Sequence, residues 1–547
     1  MKFQPRLVCV LLVAVLAAAA VPAHAWLANG TPLCIDPSDQ LQLVTQSDGT
    51  GGAYLAWTDA RTGTYLIYAL HIDPNGNPVA GWPFNGLAIS PSVTNQTEPA
   101  IAVSASGTFE VAWHEGPKLR LAHANAAGAV AADTVAQGLV FAGDSHQIAF
   151  DTNGFVWLAQ SPHSAGSGVV VVRQGWAARK TLVSNNTNLG ATTLVPDATG
   201  GAWIAWVSYG IGRTDLLGAH VMASGAYAPG SSPAGDTLCS ANGAPDGLVS
   251  VSDGAGGVYH AWIDRRSSNA DVYATRLLAN GALAAGWALN GTPVCTAANA
   301  QTDVHVVRDA GGGLFLAWDD QRAGPDNDDI DASALASNGQ RRAGFPVNGL
   351  AVATGASTQI QPAIAAHPDG TATIAWAGLS AGLKGFDIFA ARLSQHGGLT
   401  PGVNGTGAST FNGDQLQPLL VPGPGTDALV FWTDSRDLQN DVYGTRLAFA
   451  APAAVDEADE PRFVITRVWP QPAHEGRVSV RLTLPDERAA TLALYDVAGR
   501  RAGTVRTIAG AGVHDVTLDT AGAAPGLYFV RVQLGSEQRE AKAVLAR

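Results

Sequence analysis

A block of about 50 residues recurs along most of this 547-residue chain, and it limits the possible folds more than any other feature. The full block has a Gly-rich turn, an apolar stretch ending in Ala-Trp, then Asp-x-Arg and, further on, an Asn-Gly pair, and weaker copies keep only part of it. The clearest copies are SDGTGGAYLAWTDAR at 47–61 and SDGAGGVYHAWIDRR at 252–266. One position of the block is filled in turn by Trp57, Trp113, Gln160, Trp206, Trp262, Trp318, Trp376 and Trp432. The chain therefore contains eight repeats.

Each repeat is predicted to fold as four short strands joined by tight turns. Examples are the first strand QPAIAAH at 361–367 and the third strand DVYATRL at 271–277. Asn-Gly suits hairpin turns because both residues tolerate positive φ. Repeats of this length without helical periodicity predict an all-β chain with an eight-bladed β-propeller over residues 26–450. A β-solenoid is the alternative, but its repeats are shorter.

The last repeat ends at DVYGTRLAFA, residues 441–450, and lacks a fourth strand. Residues 26–34, WLANGTPLC, match residues 287–295, WALNGTPVC, which form the end of an internal repeat. We therefore expect the N-terminal strand to complete the last blade and close the ring. Closure would remove exposed strand edges at both ends of the repeat array.

Three cysteines follow the predicted signal segment, and each occupies the fourth strand of a different repeat. These strands are separated by whole blades, well beyond the ~7 Å between Cα atoms that a disulfide can bridge. We expect Cys34, Cys239 and Cys295 to be unbridged, partly buried thiols.

Residues 1–25 have the three parts of a secretory signal peptide: Lys2 and Arg6, an apolar run, and a small-residue exit. We expect cleavage between Ala25 and Trp26. The apolar run is too short for a membrane span of ~20 residues, and no other stretch is long and apolar enough. The mature chain is thus expected to begin at Trp26 and to be soluble outside the inner membrane, with no transmembrane span after signal removal.

The charge balance argues against a polyanionic partner. The chain has a formal net charge of −13. Nucleic acids and anionic membrane surfaces bind basic patches, so neither is expected as a partner.

A second domain is predicted after an acidic, Ala/Pro-rich linker at 451–461. Alternating apolar segments such as RVSVRLTL at 477–484 and GLYFVRVQL at 526–534, with turn signals between them, indicate a small Ig-like β-sandwich over 462–547.

This tail resembles the C-terminal sorting domain (type A) of the type IX secretion system. The matching pieces are Val468-Trp469-Pro470-Gln471-Pro472, LYDVAGR at 494–500 and PGLYFVRV at 525–532. The family usually has Asn between the two prolines, where this chain has Gln471. The residues that carry the resemblance are Pro470, Pro472, Gly499, Gly526, Tyr528 and Lys542.

The resemblance implies that secretion machinery is a partner of the tail, with export across an outer membrane, tail removal and surface retention. The chain is therefore expected to be secreted or displayed on the surface of a Gram-negative-type bacterium. If the tail is only a generic Ig-like module, export rests on the signal peptide alone.

The repeated Trp-x-Asp-x-Arg motif is the best candidate for a ligand-binding rim. Arg forks bind carboxylates, and these charges should lie on one face of the ring. The alternative is that each Asp serves its own turn and pairs with its own Arg, as a feature repeated in several blades would. The residues are Asp59, Arg61, Asp264, Arg266, Asp320, Arg322, Asp434 and Arg436.

No residue pattern predicts a cofactor, a catalytic residue or a paired-histidine metal site. Asp326-Asn327-Asp328-Asp329 could hold Ca²⁺ through oxygen ligands, but it lacks the spacing and glycine of a calcium loop.

A regular scaffold without a unique catalytic cluster favours a non-enzymatic binding or adhesion module with an unknown glycan or protein ligand. The alternative is a secreted carbohydrate-active, glycosidase-like enzyme whose site comes from the least regular loops, 114–146 and 161–195. Fold alone does not decide between them.

Overall fold

The computed structural model describes residues 26–90, 92–132, 146–161, 168–182, 188–210, 212–241, 243–325, 327–379, 385–449, 463–470, 473, 476–484, 488–510, 512–535 and 537–546. Within these ranges every regular element is a β-strand. The chain divides into two compact units, 1–451 and 452–547. The predicted signal segment with Ala25, the linker at 451–461, Pro472 and Asp326 lie outside the described residues.

A search of the described residues for helices with the length and apolar character of a membrane crossing finds none.

The first half of unit 1 contains the N-terminal strand β1 and four antiparallel sheets, each made of four strands consecutive in sequence. We number the sheets in chain order. β1 is Thr31–Cys34. Sheet 1 is β2 (Gln40–Ser47), β3 (Ala53–Asp59), β4 (Leu66–Ile72) and β5 (Leu87–Ala88). Sheet 2 is β6 (Gln96–Val103), β7 (Phe109–Glu115), β8 (Lys118–Ala124) and β9 (Val130–Ala132). Sheet 3 is β10 (His146–Phe150), β11 (Val156–Gln160), β12 (Val169–Arg173) and β13 (Lys180–Leu182). Sheet 4 is β14 (Asn188–Pro196), β15 (Ala202–Gly210), β16 (Arg213–Val221) and β17 (Asp236–Cys239).

The second half of unit 1 continues the same pattern. Sheet 5 is β18 (Asp246–Ser252), β19 (Val258–Asp264), β20 (Asp271–Leu277) and β21 (Thr292–Cys295). Sheet 6 is β22 (Gln301–Arg308), β23 (Leu314–Asp320), β24 (Asp329–Leu335) and β25 (Leu350–Ala353). Sheet 7 is β26 (Gln359–Ala366), β27 (Ala372–Leu379), β28 (Phe386–Leu393), β29 (Leu399–Thr400) and β30 (Thr406–Ser409). Sheet 8 is β31 (Gln415–Pro422), β32 (Ala428–Asp434), β33 (Asp441–Leu447) and β1. This succession of small antiparallel sheets makes unit 1 a β-propeller-like, all-β fold.

The first strands of neighbouring sheets contact one another all along the series, and β31 of sheet 8 also contacts β2 of sheet 1. Apolar side chains fill the space between adjacent sheets. One such cluster joins Val207 and Leu216 of sheet 4 to Trp262 and Tyr273 of sheet 5. The core of unit 1 therefore lies between sheets rather than within one.

The Asn-Gly pair of the repeat has a packing role as well as a turn role. Asn290 and Gly291 both have positive φ, 63° and 95°. A Cβ on Gly291 would lie 2.5 Å from the ring of Trp262 in the same sheet. Gly86 and Gly349 are placed in the same way against Trp57 and Trp318. The glycine is required because the turn folds back onto the buried tryptophan.

The N-terminal strand completes sheet 8, and this prediction is confirmed. β1 pairs antiparallel with β33, and Thr31 lies opposite Gly444. Arg436 Nη2 donates to the carbonyl of Asn29 at 2.7 Å, and Asn440 N donates to Asp39 Oδ1 at 3.0 Å. The two ends of unit 1 are therefore held together within one sheet.

A chain that begins at Asp39 lacks β1 and leaves β33 as an exposed edge. We expect a lower Tm, or aggregation, relative to a chain that begins at Trp26, because backbone hydrogen bonds and the burial of Leu33 are lost. Thermal unfolding followed by circular dichroism checks this. Identical melting of the two chains would show that closure contributes nothing to stability.

Unit 2 consists of two antiparallel sheets around one apolar core. One sheet has the order β34 (Val464–Trp469), β35 (Arg477–Leu484) and β38 (Gly512–Asp519). The other has the order β37 (Arg501–Ile508), β36 (Ala490–Asp496), β39 (Gly526–Leu534) and β40 (Glu537–Leu545). Val480 and Leu482 of the first sheet share a core with Leu492 and Val530 of the second.

Candidate functional site

The repeated Trp-x-Asp-x-Arg motif forms a closed hydrogen-bonded unit in each sheet that carries it. In sheet 1 the Asp59 carboxylate is fully buried. It accepts from Trp57 Nε1 at 2.8 Å and from Arg61 at 2.9 Å through N, 2.8 Å through Nε and 2.6 Å through Nη2. Equivalent bonds surround Asp264, Asp320 and Asp434, from Trp262, Arg266, Trp318, Arg322, Trp432 and Arg436.

The arginine of this unit is also used inside the fold. Arg61 Nη2 donates to the carbonyl of Asn85 at 2.7 Å and to Cys34 Sγ at 3.2 Å, and its guanidinium lies 3.9 Å above the Tyr68 ring. Cys34 belongs to the preceding sheet, so the unit links two sheets. The sequence allowed either a ligand-binding rim or an Asp that serves its own turn and pairs with its own Arg. The observed bonds agree with the second possibility, and the carboxylates face the interior rather than solvent.

The three cysteines beside these units and Asp264 have shifted pKa values. Burial raises the pKa of the Cys34 and Cys295 thiols to about 12. Cys34, Cys239 and Cys295, the cysteines in the described part of unit 1, are buried and unbridged. Burial alone would raise the pKa of Asp264, but hydrogen bonds from Arg266 and Trp262 lower it below its ordinary value.

Asp264→Ala removes the buried acceptor for Trp262 and Arg266 and leaves the partly buried Arg266 guanidinium without its carboxylate. We expect a loss of about 3–5 kcal/mol in the free energy of unfolding. The control is Asp437→Ala at an exposed position, for which we expect less than about 0.5 kcal/mol. Urea unfolding of both variants measures the difference. A similar small loss in the two variants would contradict the structural role of the buried aspartate.

A second group of ionisable side chains occurs once in the described part of the chain. Glu98, His114 and His146 offer one ligand-type atom each, and these atoms all lie within 4.8 Å of one another. His114 Nε2 is 3.9 Å from Glu98 Oε2. The two imidazole rings are 4.9 Å apart between centroids, at an angle of 74°. We call these three residues the channel cluster.

The fold brings the channel cluster together from three strands of two sheets. Glu98 lies on β6 and His114 on β7, where the neighbouring Thr97 is the strand partner of His114. His146 is the first residue of β10 in the next sheet. Both histidines are buried, whereas the Glu98 side chain is half exposed. A buried pair of bases thus lies beside a carboxylate that reaches solvent.

Glu98 occupies a β-bulge that recurs in the first strands of other sheets. Its φ is 56°, and the bulge interrupts the register between Thr97 and Ala100. Its N–H donates to Gln42 Oε1 of sheet 1 at 2.8 Å. The equivalent residues of other first strands also have positive φ: Gln42, Gly247, Asp303, Gln361 and Gln417. Bulges re-aim side chains, and here the bulge places the carboxylate beside His114.

A cavity of ≈ 350 Å³ lies at the channel cluster. Its walls are the first strands β2, β6 and β10, and Glu98 and His146 are among its lining residues. A small substrate group therefore has room next to the carboxylate and an imidazole.

Sheet 6 carries a second ionisable pair at the positions that Glu98 and His114 occupy in sheet 2. Asp303 is at the bulge, and Asp319 follows the repeat tryptophan. Burial, reinforced by the negative charges of Asp303 and Asp328, raises the pKa of Asp319 to about 9. Asp319 is therefore a neutral acid at pH 7.

Asp319 makes the fold less stable as the pH rises. Between the pKa of an unfolded aspartate, about 3.9, and the folded value of about 9, the folded chain keeps a proton that the unfolded chain releases. Stability is therefore lost progressively across this window. We expect Asp319→Asn to raise the free energy of unfolding by at least about 1 kcal/mol at pH 8 and to have little effect at pH 4. Urea unfolding at both pH values, with Asp437→Asn as control, checks this. An equal effect at pH 4 and pH 8 would contradict a protonated Asp319.

Sequence reasoning missed the channel cluster, although the repeats contain a signal for it. The position after the repeat tryptophan is His114 in sheet 2 and Asp319 in sheet 6. In the other sheets it is Thr58, Ser161, Val207, Ile263, Ala377 and Thr433. An ionisable residue thus stands at this position in only two of the eight repeats, and that departure from the repeat is the signal. Spacing rules for metal-binding histidines do not detect His114 and His146, because they lie on different sheets.

The remaining predicted site residues lie elsewhere. Trp26 Nε1 donates to the carbonyl of Pro74 at 3.1 Å. In unit 2, Gly499 is in the turn between β36 and β37, Gly526 begins β39, and Lys542 on β40 lies opposite Phe529. Tyr528 OH donates to the carbonyl of Ala524 at 2.9 Å. Pro470 directly follows β34.

Comparisons with known proteins find only distant structural likenesses. No protein-family model and no curated protein sequence matches the chain. Among solved structures, the endo-arabinase from Bacteroides thetaiotaomicron is 12% identical with a TM-score of 0.26, over 44% of this chain and 93% of its own. The Penicillium chrysogenum α-L-arabinanase is 10% identical with a TM-score of 0.31, over 64% and 92%. Polysaccharide lyase Uly1 is 10% identical with a TM-score of 0.32, over 88% and 99%.

These comparisons correct one expectation from the sequence. The repeats favoured a chain that is not an enzyme, because a regular scaffold was taken to indicate a binding module. The similar structures include arabinanases and an arabinofuranosidase, which are enzymes by their titles. The non-enzymatic interpretation is therefore wrong as the first choice. The likeness itself remains one of fold.

Proposed function

We propose that this chain is an exported carbohydrate-active enzyme whose active site is the channel cluster. The observation that carries the proposal is the meeting of Glu98, His114 and His146 beside a cavity of ≈ 350 Å³. The Asp and Arg side chains shared by several repeats are bonded to each other inside the fold. By contrast, this combination of two imidazoles and a carboxylate occurs in one place of the described chain.

The channel cluster can supply general acid–base chemistry. An imidazole at neutral pH accepts or donates a proton, and a carboxylate near it, 3.9 Å away here, can orient the ring or stabilise its charged form. This pairing is suited to activating a water or abstracting a proton from a sugar. A glycosidase with two catalytic carboxylates would need a second acid near Glu98, and the described lining of the cavity has only this one.

We propose further that each of the eight sheets is one blade of an eight-bladed propeller, and that unit 2 is an Ig-like sandwich. The support for eight blades is the succession of sheets, the contacts between successive first strands and the pairing of β1 with β33. The support for an Ig-like unit is the packing of two antiparallel sheets on one core.

Export and surface display complete the proposal. Their support is the N-terminal segment 1–25 and the likeness of the tail to a type IX sorting domain, which make secretion machinery the partner of unit 2. An exported enzyme whose site reaches solvent through Glu98 would act on extracellular polymers, and a polysaccharide is the substrate class that we propose.

His114→Ala should lower kcat/KM on a cleaved polysaccharide by at least about 100-fold, because a positioned acid–base group contributes that much. The full chain is incubated with arabinan and a panel of neutral and acidic polysaccharides. New reducing ends report hydrolysis, and ultraviolet absorbance of unsaturated sugar ends reports elimination.

The matched control is His305→Ala, which removes a half-exposed histidine from another first strand, β22. It should keep full activity. Absence of cleavage across the panel, or cleavage that His114→Ala leaves unchanged, would contradict the proposed site.

A further inference from the structure

The channel cluster has the composition of a metal site. Two imidazoles and one carboxylate are the ligands of catalytic zinc sites with three protein ligands and one open position. Calcium and magnesium prefer sets of oxygen ligands, so two histidines select against them. We propose that Glu98, His114 and His146 bind one divalent cation of the zinc class.

The distances suit binding after a small closure of the site. The ligand-type atoms lie within 4.8 Å of one another, and one pair is 3.9 Å apart. Zinc bonds of about 2.0–2.1 Å in a tetrahedron place ligand atoms about 3.3 Å apart. The half-exposed Glu98 side chain has the freedom to make this movement, while the two buried histidines define the site.

A second, independent observation comes from Gln160 on β11. It occupies the position that tryptophan fills in the other repeats, and it is fully buried. Neither amide atom has a hydrogen-bond partner among the described residues. Gln160 lies directly opposite His146 in the β10–β11 pair, so both side chains are on the same face of sheet 3.

A buried amide without partners is costly in a core, and a leucine or tryptophan would fill this place without the cost. The position of Gln160 beside His146 is explained if its amide orients that imidazole or a water bound to the metal. Groups that hydrogen-bond to metal ligands in this way tune metal affinity. Gln160 is therefore assigned as a positioning residue.

Metal binding deepens the proposed function. A zinc-class cation lowers the pKa of its bound water to about 7 and polarises substrate oxygens. The catalytic use of the metal rests on the proposed function, whereas binding of the metal does not.

The experiment uses the full chain, treated with a chelator and then titrated with ZnCl₂ by calorimetry and with CoCl₂ by visible absorption. We expect one Zn²⁺ per chain and the absorption bands of four-coordinate Co²⁺. His114→Ala and His146→Ala should lose this binding. Gln160→Leu should weaken it by about 10–100-fold, and His305→Ala should leave it unchanged.

Circular dichroism of each variant confirms folding, and His146→Gln provides a smaller change if His146→Ala does not fold. Absence of zinc binding by the unsubstituted chain, or binding that survives loss of either cluster histidine, overturns the proposal. The two proposals fail separately. Zinc binding without polysaccharide cleavage contradicts the proposed function alone, and cleavage by a chain that binds no zinc contradicts the present inference alone.

Discussion

The buried carboxylate of Trp-x-Asp-x-Arg is the interaction on which unit 1 depends. Asp59 gathers the indole N–H of its own strand and three donors of Arg61. Arg61 in turn donates to the carbonyl of Asn85, in the loop before the fourth strand of the same sheet. It also donates to Cys34 of the preceding sheet. A buried charge is tolerated only when it is fully paired. Each of the four repeats with this motif therefore has to bring tryptophan, arginine and the Asn-Gly loop to one place.

This constraint separates the charges that hold the fold together from the charges of the proposed site. Four repeats use the same Asp and Arg side chains for the same structural hydrogen bonds. A catalytic site is needed only once, so this shared motif is not a candidate for it. Positions that the hydrogen-bonded unit does not fix are able to vary. Glu98 and His114 lie at two such positions, and Asp303 and Asp319 occupy the same two in sheet 6. Their chemistry is free to differ between sheets because the scaffold does not need it.

Much of the architecture could be predicted because it follows from local, repeated patterns. The Gly-rich hairpins, the buried tryptophans and the Asn-Gly turns depend on residues close in sequence. The match between residues 26–34 and 287–295 was sufficient to predict the pairing of β1 with β33.

The channel cluster was not predictable in this way. His114 and His146 meet only because sheets 2 and 3 are neighbours, and their separation in sequence matches no metal-binding pattern. The expectation of a non-enzyme arose in the same way. Motifs along the sequence do not reveal residues that are brought together from different sheets.

The central claim is that function resides in the channel cluster and not in the repeated rim. The most direct measurement is an anomalous-scattering map from crystals of the full chain grown with zinc. A single strong peak bounded by Glu98, His114 and His146, with Gln160 close to His146, is the predicted result. A peak at the acidic 326–329 segment or at the repeated Asp-Arg units, with none between the two histidines, would contradict the claim.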